Sequence, residues 1–223
     1  MNDIYQISLN RILVKDNGMT EFITGHNLLS ASLVYPREGI QSIETVKKLS
    51  LKSNEVYSLK RVNFTEKLLF KESIQGDSAI RIQLTAIEKS DKIVGIIKGL
   101  VRTGMMTGLS LVTGGVGISI ITAVTKGLTQ SIFDMAHTSD KISILGSINF
   151  PINNDLPEGE LILNLTTPET IKLIERKYKN GQDLLITKTI MKGYGIAQIV
   201  LDVKRIPSTQ TSISQQSKQL QYV

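Results

Sequence analysis

The chain has 223 residues, with 26 Lys and Arg against 20 Asp and Glu, a net charge of +6, and neither Cys nor Trp. The length suits one large domain or two small ones, and 41% apolar with 21% charged residues is the balance of a folded chain. Without Cys, a disulfide framework, a thiolate nucleophile and any cysteine-ligated metal site are excluded.

Residues 1–18 have no basic segment leading into an apolar core, so they do not read as a secretory signal. The expectation is synthesis in the cytoplasm, followed by membrane association or release by a signal-independent route. Within this stretch, residues 4–14 alternate, with Tyr5, Ile7, Leu9, Arg11 and Leu13 opposite Ile4, Gln6, Ser8, Asn10 and Ile12. Alternation with period two is the mark of a half-buried strand. Asp16-Asn17-Gly18 is a turn signal, and His26 is expected in a solvent-exposed turn. Further strands are expected over 28–35, 56–64, 66–72 and 79–87; in the last, Ile80, Ile82, Leu84 and Ala86 share one face.

The next segment differs. Residues 103–125 carry no charge until the following Lys126, and they are rich in Gly, Ser and Thr. Two apolar halves, 93–112 and 118–135, flank Thr113-Gly114-Gly115-Val116-Gly117. Each half is about 20 residues, or roughly 30 Å as a helix, which matches a hydrocarbon core. Gly95 and Gly99, and Gly104 and Gly108, recur at a four-residue spacing that lets helices approach closely. This predicts a helical hairpin over 91–137. Gly95, Gly99, Gly104, Gly108, Leu109, Val112, Ile118, Ile121 and Val124 are its membrane or oligomer contacts. Lys98, Arg102 and Lys126 would meet headgroups or a water-filled lumen.

Strands resume over 141–150 and 159–165. Thr167-Pro168-Glu169 has the composition of a helix start, and Asn180-Gly181 of a helix stop, so a helix is expected between them. Two closing strands, 183–191 and 196–206, precede a tail, 207–223, rich in Ser, Thr and Gln, which is expected to be flexible.

The expected architecture is therefore mainly β with an α insertion. An antiparallel β-sandwich, residues 1–90 with 141–206, is interrupted by the glycine-rich apolar helical hairpin. In outline this resembles C2-type lipid-binding domains or β-rich pore-forming proteins, although no motif residue carries the resemblance and no site transfers. His26 and His137 lack partners at fixed spacing, no phosphate-binding loop is present, and the basic residues are not interleaved with aromatics. Asp155, Glu158 and Glu160 could supply oxygens to calcium, but ordinary loop acids are the simpler account. No catalytic residue, metal, cofactor, nucleic acid or small-molecule substrate is expected. The function expected is a non-enzymatic membrane-active protein whose hairpin meets a lipid bilayer, with an oligomeric pore as its extension. The alternative is a soluble assembly subunit that uses the hairpin as a homo-oligomer interface.

Overall fold

In the computed structural model, residues 3–18, 25–35, 43–74, 77–87, 107–114, 117–123, 142–152, 156–179 and 182–207 are described. Among these residues thirteen strands follow in chain order. The first six are β1 (Ile4–Val14), β2 (Gly25–Val34), β3 (Ile43–Leu51), β4 (Val56–Ser58), β5 (Leu68–Ser73) and β6 (Ser78–Ile87). The remainder are β7 (Thr107–Gly114), β8 (Gly117–Ala123), β9 (Ile142–Ile152), β10 (Gly159–Thr166), β11 (Ile171–Lys179), β12 (Gln182–Ile190) and β13 (Gly195–Ile206). The single helix among the described residues is α1 (Phe64–Lys67).

All the pairings are antiparallel. The main sheet runs β4-β1-β13-β10-β9-β6-β2-β3-β8-β7, with β5 sharing the β4 edge of β1. Strands from after the central segment, β13, β10 and β9, therefore sit between strands from before it in one sheet, since β1 pairs with β13 and β6 with β9. β10 and β9 meet only at Thr166↔Ser147. On the opposite side β3 approaches β5, and the sheet curls into a nearly closed barrel. β11 and β12 form a separate two-stranded sheet.

Two expectations are overturned here. The first is the sandwich with a helical insertion. Where the insertion is described, it is a β-hairpin, and the sheet it extends is barrel-like. The reason is local: 107–123 is dense in Thr, Val and Ile, which lose rotamer freedom in a helix and fit a pleated surface. Each Gly in the same stretch would cost a helix about 1 kcal/mol relative to Ala. No helix among the described residues is long and apolar enough to cross a membrane. The second is the helix after Thr167-Pro168-Glu169, which is strand β11, paired with β12 from Ile171↔Ile190 to Lys179↔Gln182. Asn-Gly is a helix stop, but between two apolar-rich runs it is also the strongest short hairpin signal.

The core is the barrel interior. β1 contributes Tyr5, Ile7 and Leu9, then Ile12 and Val14. The change of phase lies at Asn10, where the register with β13 skips one residue. An unpaired residue of this kind bends a strand and re-aims the side chains beyond it. A second skip, opposite Leu84/Thr85, leaves Leu145 on β9 unpaired and turned into the core. The curvature so produced brings strands close together. A Cβ on Gly146 would lie 2.4 Å from Ile196 Cγ2. Gly18, at φ +76°, lies under Ala86 and Leu145, and a Cβ there would sit 2.5 Å from Ala86 Cβ. β2 buries both faces, Leu29, Ala31 and Leu33 toward the core and Leu28, Ser30 and Ser32 on the other side.

Candidate functional site

The uncharged run keeps its prominence, but in a different form. β8 adds to the outer edge of β3 through Ile43↔Ala123 to Lys47↔Ser119, and β7 adds to β8 through Ser110↔Ile121 to Gly114↔Gly117. β7 is the last strand of the sheet and is hydrogen-bonded, among the described residues, to β8 alone. Of the residues expected to make contacts, Gly108, Leu109, Val112, Ile118 and Ile121 fall on these two strands. Gly95, Lys98, Gly99, Arg102, Gly104, Val124 and Lys126 lie outside the described residues, as do His137 and Asp155.

The strand that carries this hairpin is fixed by buried polar groups. Thr45, Lys47, Leu49 and Leu51 alternate along β3, and Leu49 and Leu51 enter the core. Thr45 Oγ1 donates to the Leu69 carbonyl at 2.6 Å. Lys47, only 1% exposed, donates its ammonium to the Glu66 carbonyl at α1. These bonds bridge β3 to α1 and β5, where no backbone ladder joins them, and α1 lies beside both β7 and β8. Burial lowers the Lys47 pKa to about 8, against the opposing pull of Glu66. Burial also raises Tyr57, with a contribution from Glu66, and raises Tyr35, with one from Glu72. Sequence reading missed β3 because Lys47-Lys48 broke the apolar pattern.

A second polar group organises one rim of the barrel. Asp16 accepts from the Gly18 backbone N–H at 2.9 Å and pairs with Lys188 of β12 at 2.6 Å. Asn17 donates its side-chain amide to the Leu51 carbonyl at 2.8 Å, and Asn27 donates to the Asn17 carbonyl at 3.0 Å. His26, expected in an exposed turn, is instead on β2; its Nδ1 and the Asn27 Oδ1 are buried without a hydrogen-bond partner among the described residues. Lys15 stands 5.1 Å from the centre of the Tyr194 ring.

The third group lies on the outside of the barrel, at the Asn10 bulge. Asn10 Nδ2 donates to Glu160 Oε1 at 3.2 Å and to Asp202 Oδ1 at 3.0 Å, and Arg11 holds Glu160 with two bonds of 2.9 and 3.0 Å. The Arg11 hydrogen bond lowers the Glu160 pKa and raises that of Arg11. Glu158 accepts from the Arg205 backbone N–H at 2.6 Å. Glu158 and Glu160 are thus occupied by this chain's own donors. Among the described residues no cluster of three or more His, Cys, Asp or Glu could hold a metal.

No protein-family model matches the chain, and no curated protein is significantly similar to it.

Proposed function

We propose that this chain is a non-enzymatic assembly protein that joins a second copy of itself through the β7 edge. One observation carries the reading: the terminal strand of the sheet, Thr107–Gly114, has neither a charged residue nor a proline. Exposed edges normally carry such devices because unpaired N–H and C=O groups recruit other strands. The other end of the sheet has them, for β4 is three residues long and the adjoining β5 carries Lys71 and Glu72. An edge pairing antiparallel with its own copy closes a two-fold dimer without leaving a further edge. Crossing a bilayer takes strands of about 9–11 residues. β7 and β8 have 8 and 7, which favours protein over lipid as the partner of this edge.

The test is the mass of the full chain in solution. A two-residue connection makes Gly114↔Gly117 a hydrogen-bonded pair, so the backbone N–H of Leu111, in the alternate set, faces away from β8. Leu111→Pro removes that donor and spares the β7–β8 ladder. Wild type should sediment as a dimer at micromolar concentration and Leu111→Pro as a monomer with the same far-ultraviolet dichroism. A monomeric wild type would refute the reading. Dye release from vesicles by wild type, lost in Leu111→Pro, would transfer the edge to a bilayer role.

A further inference from the structure

The β11–β12 hairpin is built unlike the rest of the molecule. It leaves the main sheet as a ribbon of nine cross-strand pairs, roughly 30 Å long at strand spacing. Its base is rigid. Ile171, Leu173 and Ile190 are buried in the barrel core. Thr167 Oγ1 donates to the Met191 carbonyl at 2.7 Å and accepts from the Tyr194 N–H at 3.0 Å. Lys188 is tied to Asp16. Beyond the base, β12 turns exposed. Leu184, Ile186 and Ile190 occupy alternate positions of β12 and so lie on one face. Ile190 is in the core, yet Leu184 is 42% and Ile186 39% exposed, and Met191 at the base is 65% exposed. The apolar stripe continues past the point where the protein can cover it.

Charge is concentrated in the same place. Residues 171–192 contain Lys172, Arg176, Lys177, Lys179, Lys188 and Lys192 against Glu175 and Asp183, a net of +4 out of the chain's +6. Lys172 and Lys192 are exposed. We infer that this hairpin docks on the surface of an anionic lipid bilayer. Phosphate-bearing headgroups match the cations, and an apolar stripe beside cations suits the headgroup–acyl boundary. A nucleic acid would use the cations but would leave Leu184, Ile186 and Met191 in water, and Tyr178 is the one aromatic on the ribbon. The docking does not depend on the β7 edge.

Flotation of the full chain with phosphatidylcholine vesicles, with and without phosphatidylglycerol, tests the inference. Wild type should float only with the anionic vesicles, less as salt is raised, and without releasing trapped dye. Each cation near an anionic surface contributes about fivefold in affinity, so Lys192→Gln should weaken binding about fivefold; Lys172 pairs with Thr189, on the face opposite Leu184 and Ile186, so Lys172→Gln should weaken it less. Leu184→Ser with Ile186→Ser leaves charge unchanged and should weaken it about tenfold. All four residues are exposed, so melting temperatures should match wild type. Leu111→Pro should float like wild type, which separates a failure of docking from a failure of self-association. Absence of flotation would overturn the inference. So would vesicle binding indifferent to the Leu184/Ile186 change and matched by a duplex oligonucleotide, since the ribbon would then be a general polyanion binder.

Discussion

The two hairpins β7–β8 and β11–β12 present opposite solutions to one problem. Both project strands that the closed part of the barrel does not need. β7–β8 continues the sheet from β3 and has no charge on either strand. β11–β12 leaves the sheet, lies in a segment, 171–192, that carries +4 of the chain's net +6, and is held at its base. A basic ribbon resists edge-to-edge pairing and is attracted to anions. An uncharged edge resists nothing and awaits a strand. The contrast teaches that exposed β structure is specialised by what its side chains forbid. On the two proposals made above, one projection is open to protein and the other to a charged surface.

The largest expected effect is at the anchor of the first hairpin. Lys47 and Thr45 bridge β3 to α1 and β5, so they hold the strand on which β8 is laid. Lys47→Ala removes a fully buried side chain and leaves Glu66, itself buried, facing the space. Breaking a buried polar pair from one side costs about 3–5 kcal/mol. Urea unfolding should show that loss, and hydrogen exchange should rise in β3, β8 and β7 before β11–β12. Lys47→Met fills the same volume but still leaves the Glu66 carbonyl without this donor, so it should lie about 1–3 kcal/mol below wild type, between Lys47→Ala and wild type. Equal stability of Lys47→Ala and wild type would show that the barrel closes without this seam.

The same two regions mark where the sequence is readable. Ala79–Ile87 alternates cleanly, and its expected face, Ile80, Ile82, Leu84 and Ala86, is in the core. In β1 the alternation holds through Leu9 and then misassigns Ile12, because a one-residue bulge at Asn10 leaves no local mark in composition. β3 is hidden by an inward lysine, whose partner at Glu66 lies far along the chain, as does Leu69, the partner of Thr45. Both hairpins read as helices for related reasons. Glycines at four-residue spacing and Thr-Pro-Glu are real helix signals, but they compete with β-branched density and with Gly-Val or Asn-Gly connections. Of the expected contact residues, five fall on β7 and β8; the charge-free property that singles them out is retained, while the helical face assigned to them is not.

At the base of the second hairpin a smaller effect is expected. Thr167 is 1% exposed, and its hydroxyl both donates and accepts across the turn that returns β12 to β13. Thr167→Val keeps the shape, removes both bonds and leaves the Met191 carbonyl with the Tyr194 N–H in place of two donors. The cost should be about 1–2 kcal/mol. It should appear as faster exchange in β11–β12 with the β7–β8 hairpin unchanged, the reverse of the Lys47→Ala pattern. A uniform loss across both hairpins would mean that the ribbon is not an independent unit and would blur the contrast between the two.

The smallest effect is a pH dependence carried by the same seam. The Lys47 pKa is about 8 in the fold against an ordinary lysine value of 10.5. Between those values the unfolded chain binds the proton that the folded chain has released, so stability rises with pH. Below pH 8 both states are protonated and the full penalty for burying the charge is present. From pH 7 to 9 the gain should be about 1 kcal/mol. Tyr35 and Tyr57 act in the opposite sense, because their raised values favour the protonated fold and that advantage is lost as pH climbs through and above the normal tyrosine range. Stability should therefore pass through a maximum on the alkaline side of neutrality. Lys47→Met removes the rising limb and leaves the tyrosine-driven fall. A rise between pH 7 and 9 that persists in Lys47→Met would assign it to another group and leave the seam lysine charged throughout.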